Sequence, residues 1–251
     1  MYSTMCAYLL VLILPTAAMS GDFEKGVAAF EQKDFDSAVT NLTKAIEANP
    51  KSPAAYFYRG LAYREKKDFD RAIGDFSECI PLEPAPAHCY YNRGIVHLMK
   101  RDFEKAIKDF DEAVRLEPKN ATPYLGRAYT YGETRRYEKA EADYMTAIRL
   151  DPKQRVGLNN FAWLRASCPD AKFRDGKKAV ELAKIACELS EWQGLLELNT
   201  LAAAHAENGN FKEAVKWQKI AIKQGYDEKE LLDKANQRLK LYENGKPYRQ
   251  E

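Results

Sequence analysis

The residues best equipped for chemistry gather at one point of this chain: Cys79, then His88 and Cys89 nine and ten residues later. Thiolates and imidazoles are the donors a zinc-class ion prefers, and a closed structural site takes four of them. Three donors stand here and no fourth is evident, so the expected metal set is none and the expected cofactor set is none. His97 and His205 lie at no metal-ligand spacing. No glycine-rich loop is placed to cradle a phosphate, and no G-x-S-x-G presents a nucleophilic serine. Acid pairs such as Asp111-Glu112 fall on polar helix faces. The expected catalytic set is therefore empty, and the chain is not expected to be an enzyme.

Beyond residue 20 the cysteines are Cys79, Cys89, Cys168 and Cys187. An even number permits disulfides without demonstrating any. Cys79 and Cys89 flank one helix-to-helix turn and could meet. Cys187 lies about twelve residues into its helix, hence roughly 18 Å from the turn that holds Cys168. That is beyond the reach of a disulfide.

The totals narrow the class further. Lys and Arg number 39 against 37 Asp and Glu, a formal charge of +2 with both signs mixed along the chain. This lacks the dense basic footprint of nucleic-acid or anionic-membrane binding, so no nucleic acid is expected among the partners. Residues 1–20 contain no charged side chain, and "MCAYLLVLIL" at 5–14 is a continuous apolar run. Ten residues fall short of the ~20 that cross a bilayer. They suit the apolar region of a secretory signal, although the preceding "MYSTM" lacks a basic residue. Ala18 and Ser20 stand three residues and one residue before a cut ahead of Gly21, as signal cleavage prefers. The expectation is a secreted or periplasmic protein with no membrane span after cleavage. Translation from Met19 would instead give a cytoplasmic one.

What positions these residues is a repeat. Pro50, Pro84, Pro118 and Pro152 are each 34 residues apart, and "KDFDRAIGDF" at 67–76 returns as "RDFEKAIKDF" at 101–110. Each interval holds two helical patterns joined by a short polar turn. Tyr56, Gly60 and Tyr63 share one face of the first, and Phe69, Ala72, Ile73 and Phe76 share one face of the second. Gly26, Gly60, Gly94 and Ala128 hold one small position, and Ala38, Ala72, Ala106 and Ala140 hold another. Small residues facing large aromatics imply helices that cross closely. A single hairpin cannot cover such faces, so successive hairpins must stack.

Tyr56-x₂-Arg59-Gly60-x₂-Tyr63, Ala72-x₃-Phe76 and Pro84 together resemble the tetratricopeptide repeat (TPR) family, whose pattern is W-x₂-L-G-x₂-Y, A-x₃-F, P. The resemblance implies an all-α fold: a right-handed α-solenoid of about six helical hairpins plus a C-terminal capping helix. On this reading residues 1–20 are the signal, 21–154 form four repeats, and 155–194 form a degenerate hairpin whose turn is lengthened by "CPDAKFR". Residues 195–226 form a sixth hairpin and 227–251 the capping helix and tail. Asp227 with Glu230 imitates a capping box, Gly245 fits a helix stop, and Pro81 should cut its helix short. Residues 162–218, with "AWLRASCPD", "DGKKAVELA" and "TLAAAHAENGNFKEAVKWQ", resemble a segment common at the C-terminal end of bacterial TPR proteins.

The chain departs from the pattern in one regular way. Arg59, Arg93 and Arg127 stand where the family has Leu, and Asp75, Asp109 and Asp143 follow each sixteen residues later. Three structural ion pairs are expected: Arg59–Asp75, Arg93–Asp109 and Arg127–Asp143. His97 and His205 replace a packing Tyr and are expected to face the core. The resemblance also implies that first helices line a concave binding surface, here Phe57, Leu61, Arg64, Tyr91, Ile95, Leu98, Met99 and Tyr129. That face is apolar and suits an amphipathic helix or extended segment of a partner protein. A protein-binding scaffold is the expected function. A self-assembling structural protein and a carrier of small ligands or lipid in the same groove are the alternatives.

Overall fold

The computed structural model describes residues 21–250; the expected signal, residues 1–20, lies outside them. The described residues contain thirteen α-helices and no strand. They divide into two compact units, the first ending at Thr134 and the second starting at Arg135.

In the first unit, α1 (Gly21–Glu31) folds back on α2 (Phe35–Ala48), α3 (Pro53–Glu65) on α4 (Phe69–Cys79), and α5 (Ala87–Met99) on α6 (Phe103–Leu116). Each hairpin packs its second helix on the next first helix, ending with α6 on α7 (Ala121–Glu133). The second unit holds α8 (Tyr137–Leu150), the hairpin of α9 (Arg155–Ser167) and α10 (Gly176–Leu189), and that of α11 (Leu195–Glu207) and α12 (Phe211–Gln224). Its last helix, α13 (Lys229–Glu243), packs on α12.

The turns are built from the repeated phrase. Lys33, Lys67 and Arg101 adopt φ of 62°, 60° and 62°, the left-handed conformation that L side chains rarely enter. This reverses the chain in two residues, and the aspartate that follows stands at the N-cap of the next helix, with a side-chain cap bond at Asp34 and Asp68. Asp34 accepts from the Ser37 amide and Asp68 from the Arg71 amide. In the sixth hairpin the same place is held by Gly209, φ 76°, with Asn210 as the cap.

Close helix crossing explains the small residues. A Cβ on Gly60 would lie 2.9 Å from Phe76 Cε1, and one on Gly94 2.9 Å from Phe110 Cε1. A Cβ on Gly126 of α7, in the neighbouring helix, would lie 2.8 Å from the same Phe110 ring. Carbon atoms prefer about 3.5–4.0 Å, so a side chain does not fit. Phe76 and Phe110 are fully buried, as are Ala72 and Ala106.

Pro81 acts as expected. Helix α4 has 11 residues where α2 and α6 have 14, and it passes at Ile80 into a 3₁₀ turn ending at Leu82. "CPDAKFR" forms another 3₁₀ turn, Ala171–Phe173, whose Phe173 ring packs on Tyr137 at 5.5 Å. The expected capping box at Asp227 and Glu230 is not formed: α13 starts later, its N-cap is Glu228, and no side chain caps it. Ala235 and Tyr242 bury the inner face of α13, and Gly245 at φ 65° follows its end. No described helix is long and apolar enough to cross a membrane.

Candidate functional site

The arginine row is a periodic clip. Arg59 donates through Nε and Nη2 to both Asp75 oxygens, at 2.8 and 2.7 Å, and Arg93 grips Asp109 in the same way at 2.9 and 2.7 Å. Such two-point grips use the planar fork of the guanidinium. The remaining nitrogen reaches back sixteen residues: Arg59 Nη1 to Thr43 Oγ1 at 3.0 Å, Arg93 Nη1 to Ser77 Oγ at 2.9 Å, and Arg127 Nη1 to Asp111 Oδ1 at 2.7 Å. Each clip thus ties a first helix to the hairpin before it. Asp75 and Asp109 are buried, and burial pushes the Asp75 carboxyl up against the pull of Arg59. The backward reach was not foreseen, although Thr43, Ser77 and Asp111 recur at the repeat interval. Asp143, of the expected third pair, is buried.

The expected groove divides in two. Tyr91 is 3% exposed, Ile95 7%, Leu98 0% and Arg64 8%. These four belong to the core and do not form an open face, which corrects the sequence reading. Tyr91, Ile95 and Leu98 pack with Ala106, Phe110 and Ala113, the Tyr91 and Phe110 rings 5.8 Å apart. Arg64 Nη1 donates to Asn92 Oδ1 at 2.8 Å. The period shows which residues share a helix face; how far the next hairpin covers that face depends on packing that spacing does not encode. Phe57, Leu61, Met99 and Tyr129 remain half-buried.

In the second unit a first-helix face already holds an extended segment, the chain's own tail. The Tyr248 ring lies on Trp163 of α9, centroids 5.6 Å apart. Arg249 Nη1 pairs with Glu207 of α11 at 2.6 Å, and the Gln250 amide donates to the Ser167 carbonyl at 2.8 Å. Arg238 of α13 stands over both rings, 5.9 Å from Trp163 and 5.8 Å from Tyr248. Beside them Asn199 Oδ1 accepts from Gln218, Tyr226 and Arg238, which fastens α11 to the end of the chain. Trp163 follows the small Ala162 as Leu61 follows Gly60 and Tyr129 follows Ala128. That phase was the signal that could have identified this face.

Cys79 and Cys89 are joined as a disulfide across the connection from α4 to α5. The ligand atoms of Cys79, His88 and Cys89 all lie within 4.8 Å of one another. His88 Nε2 is 3.2 Å from Cys89 Sγ and 3.6 Å from Glu83 Oε2. Glu83 is the fourth polar group that sequence reading missed, because it stands in the Pro-rich connector rather than at a ligand spacing. Burial pushes the Glu83 carboxyl up and the His88 imidazole down. Cys168 and Cys187 are free and buried, and burial pushes the Cys187 thiol up to about 12. His97 and His205 are buried, and desolvation lowers both imidazoles.

No curated protein matches this sequence. Profiles described as tetratricopeptide repeat match residues 23–87, 87–120 and 121–154, together just over half of the chain. Among solved structures, a segment of MamA from Desulfovibrio magneticus RS-1 is 20% identical with a TM-score of 0.59, covering 70% of this chain and 99% of that one. A tetratricopeptide repeat protein from Parabacteroides merdae is 17% identical with a TM-score of 0.58, covering 89% and 83%. YrrB, described as a TPR protein with an unusual peptide-binding site, is 18% identical with a TM-score of 0.56, covering 78% and 97%. At these identities the likeness is one of fold.

Proposed function

We propose that this chain, which belongs to the tetratricopeptide repeat family, is a non-catalytic scaffold that holds an extended segment of a partner polypeptide along its first helices. One observation carries the reading: residues 248–250 lie across α9 and α11 through a ring pair, an ion pair and a backbone hydrogen bond. Those are the contacts by which an extended peptide docks. Leu61 and Tyr129 of the first unit occupy the same repeat place as Trp163, and with Phe57 and Met99 they form the half-buried face offered to a partner. The peptide-binding site named for YrrB supports the same use of the fold.

Photo-crosslinking from single positions of the full chain tests this. A photoreactive phenylalanine at position 61 or 129 should trap the same polypeptide, whereas one at the exposed Met145 should not. Adducts of lipid or of this chain alone at 61 and 129 would move the function to a carrier or a self-assembling protein. Equal capture from all three positions would remove the first-helix face from the account.

A further inference from the structure

We propose that Cys79, Glu83, His88 and Cys89, once the cysteines are reduced to thiols, form a binding site for a zinc-class divalent cation. The fold places Cys79, His88 and Cys89 within 4.8 Å of one another and sets Glu83 beside His88, through three separate features. Pro81 ends α4 early, which leaves Cys79 on its last turn. The 3₁₀ turn and the Pro-rich connector carry Glu83 back toward α5. His88 and Cys89 then stand in the first turn of α5.

The spacings of His88 to Cys89 and to Glu83 suit a tetrahedral ion. Bond lengths of about 2.0–2.3 Å to O, N and S place neighbouring donors about 3.3–3.8 Å apart. His88 Nε2 lies 3.2 Å from Cys89 Sγ and 3.6 Å from Glu83 Oε2. The two sulfurs are bonded to each other, and reduction releases both as donors. The surroundings suit it as well. Both cysteines are fully buried, whereas the Glu83 and His88 side chains are 16% and 17% exposed, so the site has an apolar floor and a way in. The His88 ring is held edge-on by Phe57 at 4.7 Å, and Asn92 Nδ2 donates to the His88 carbonyl at 2.8 Å. A nitrogen-sulfur set with one carboxylate selects zinc over magnesium or calcium, which prefer oxygen alone.

The chemistry balances. A phosphine takes an oxygen from water as it cleaves the S–S bond, giving two thiols and a phosphine oxide. The cation then replaces both thiol protons, which leave to solvent. Disulfide and metal are therefore alternative fastenings of one connector, and they exclude each other.

The test is anaerobic titration of the full chain with Co²⁺, before and after phosphine reduction. Reduced protein should bind one equivalent and show the intense absorption of tetrahedral thiolate-bound cobalt, which Zn²⁺ then removes. Unreduced protein should show none. Cys168→Ser with Cys187→Ser should retain the signal, and Cys89→Ser should lose it with helical circular dichroism intact. Glu83→Gln should weaken binding about tenfold. A reduced wild type without the tetrahedral spectrum, or a spectrum that survives Cys89→Ser, overturns the site. Unchanged affinity in Glu83→Gln overturns the four-residue assignment.

Discussion

Two glycine-to-alanine substitutions, identical as chemistry, should change stability in opposite directions. Gly74 sits exposed in α4 with nothing within 4 Å of the place a Cβ would take. Alanine there restricts the unfolded chain and favours the helix, a gain of about 0.5–1 kcal/mol. Gly94 in α5 would collect the same gain, but its Cβ would meet the Phe110 ring at 2.9, 3.1 and 3.2 Å. That ring has little room to retreat, because its exposure is 0% and α7 crosses it so closely that a Cβ on Gly126 would also lie 2.8 Å from its Cε1. Overpacking a filled core costs about 1–3 kcal/mol, and this site is rigid enough to sit in the upper half of that range. The net for Gly94→Ala is a loss of about 1–2.5 kcal/mol after the helix gain is subtracted. Equilibrium urea denaturation of the two variants, with the slope held constant, measures both. Adding Phe110→Leu should then make Gly94→Ala less harmful than it is in the native background. If Gly94→Ala raises the midpoint as Gly74→Ala does, the close crossing of α5, α6 and α7 is wrong.

Other expectations follow from the clips, the turns and the histidines. Asp109→Ala leaves the Arg93 guanidinium, 23% exposed, with the Ser77 hydroxyl and the Tyr90 ring, and should cost about 2 kcal/mol in urea denaturation, below the ~3–5 of a fully buried pair. A loss under about 0.5 kcal/mol would class it with solvent pairs. Gly209→Ala, at φ 76°, should cost about 1 kcal/mol, read as a lower thermal midpoint, while Lys67→Gly, at φ 60°, should gain a similar amount and raise it. Desolvation lowers His97, which Asp109, Asp102, Lys105 and Arg93 face, and His205, which Glu213, Lys184 and Lys216 face. The unfolded chain thus binds protons first, and stability held above about pH 6.5 should fall as pH drops through the folded values. Replacing both by Tyr should flatten that fall between about pH 7.5 and 5.5, as read by urea midpoints; an unchanged slope would assign it to other groups.

The period, the all-α class and the early stop at Pro81 were legible because each is local. Gly60, Gly94 and Phe110 advertise a crossing wherever they recur, and the proline breaks a ladder by its own chemistry. The destination of Arg93 was half legible: Asp109 could be read from a shared offset, but Ser77 belongs to the preceding hairpin. Tyr91 and Leu98 misled because an apolar helix face reads the same whether a neighbour covers it or not. Glu83 and residues 248–250 were out of reach, since a connector and a tail have no period to read.

Each arginine of the row also answers to a partner one block behind it. Were residues 60–93 excised, Arg59 would take the place of Arg93, with Asp109 ahead and the Thr43 hydroxyl behind. Cys79 and Cys89 would leave together, and Gly94 would still greet Phe110. Recombination between its own copies can therefore lengthen or shorten such a gene by whole blocks without stranding a half-buried cation.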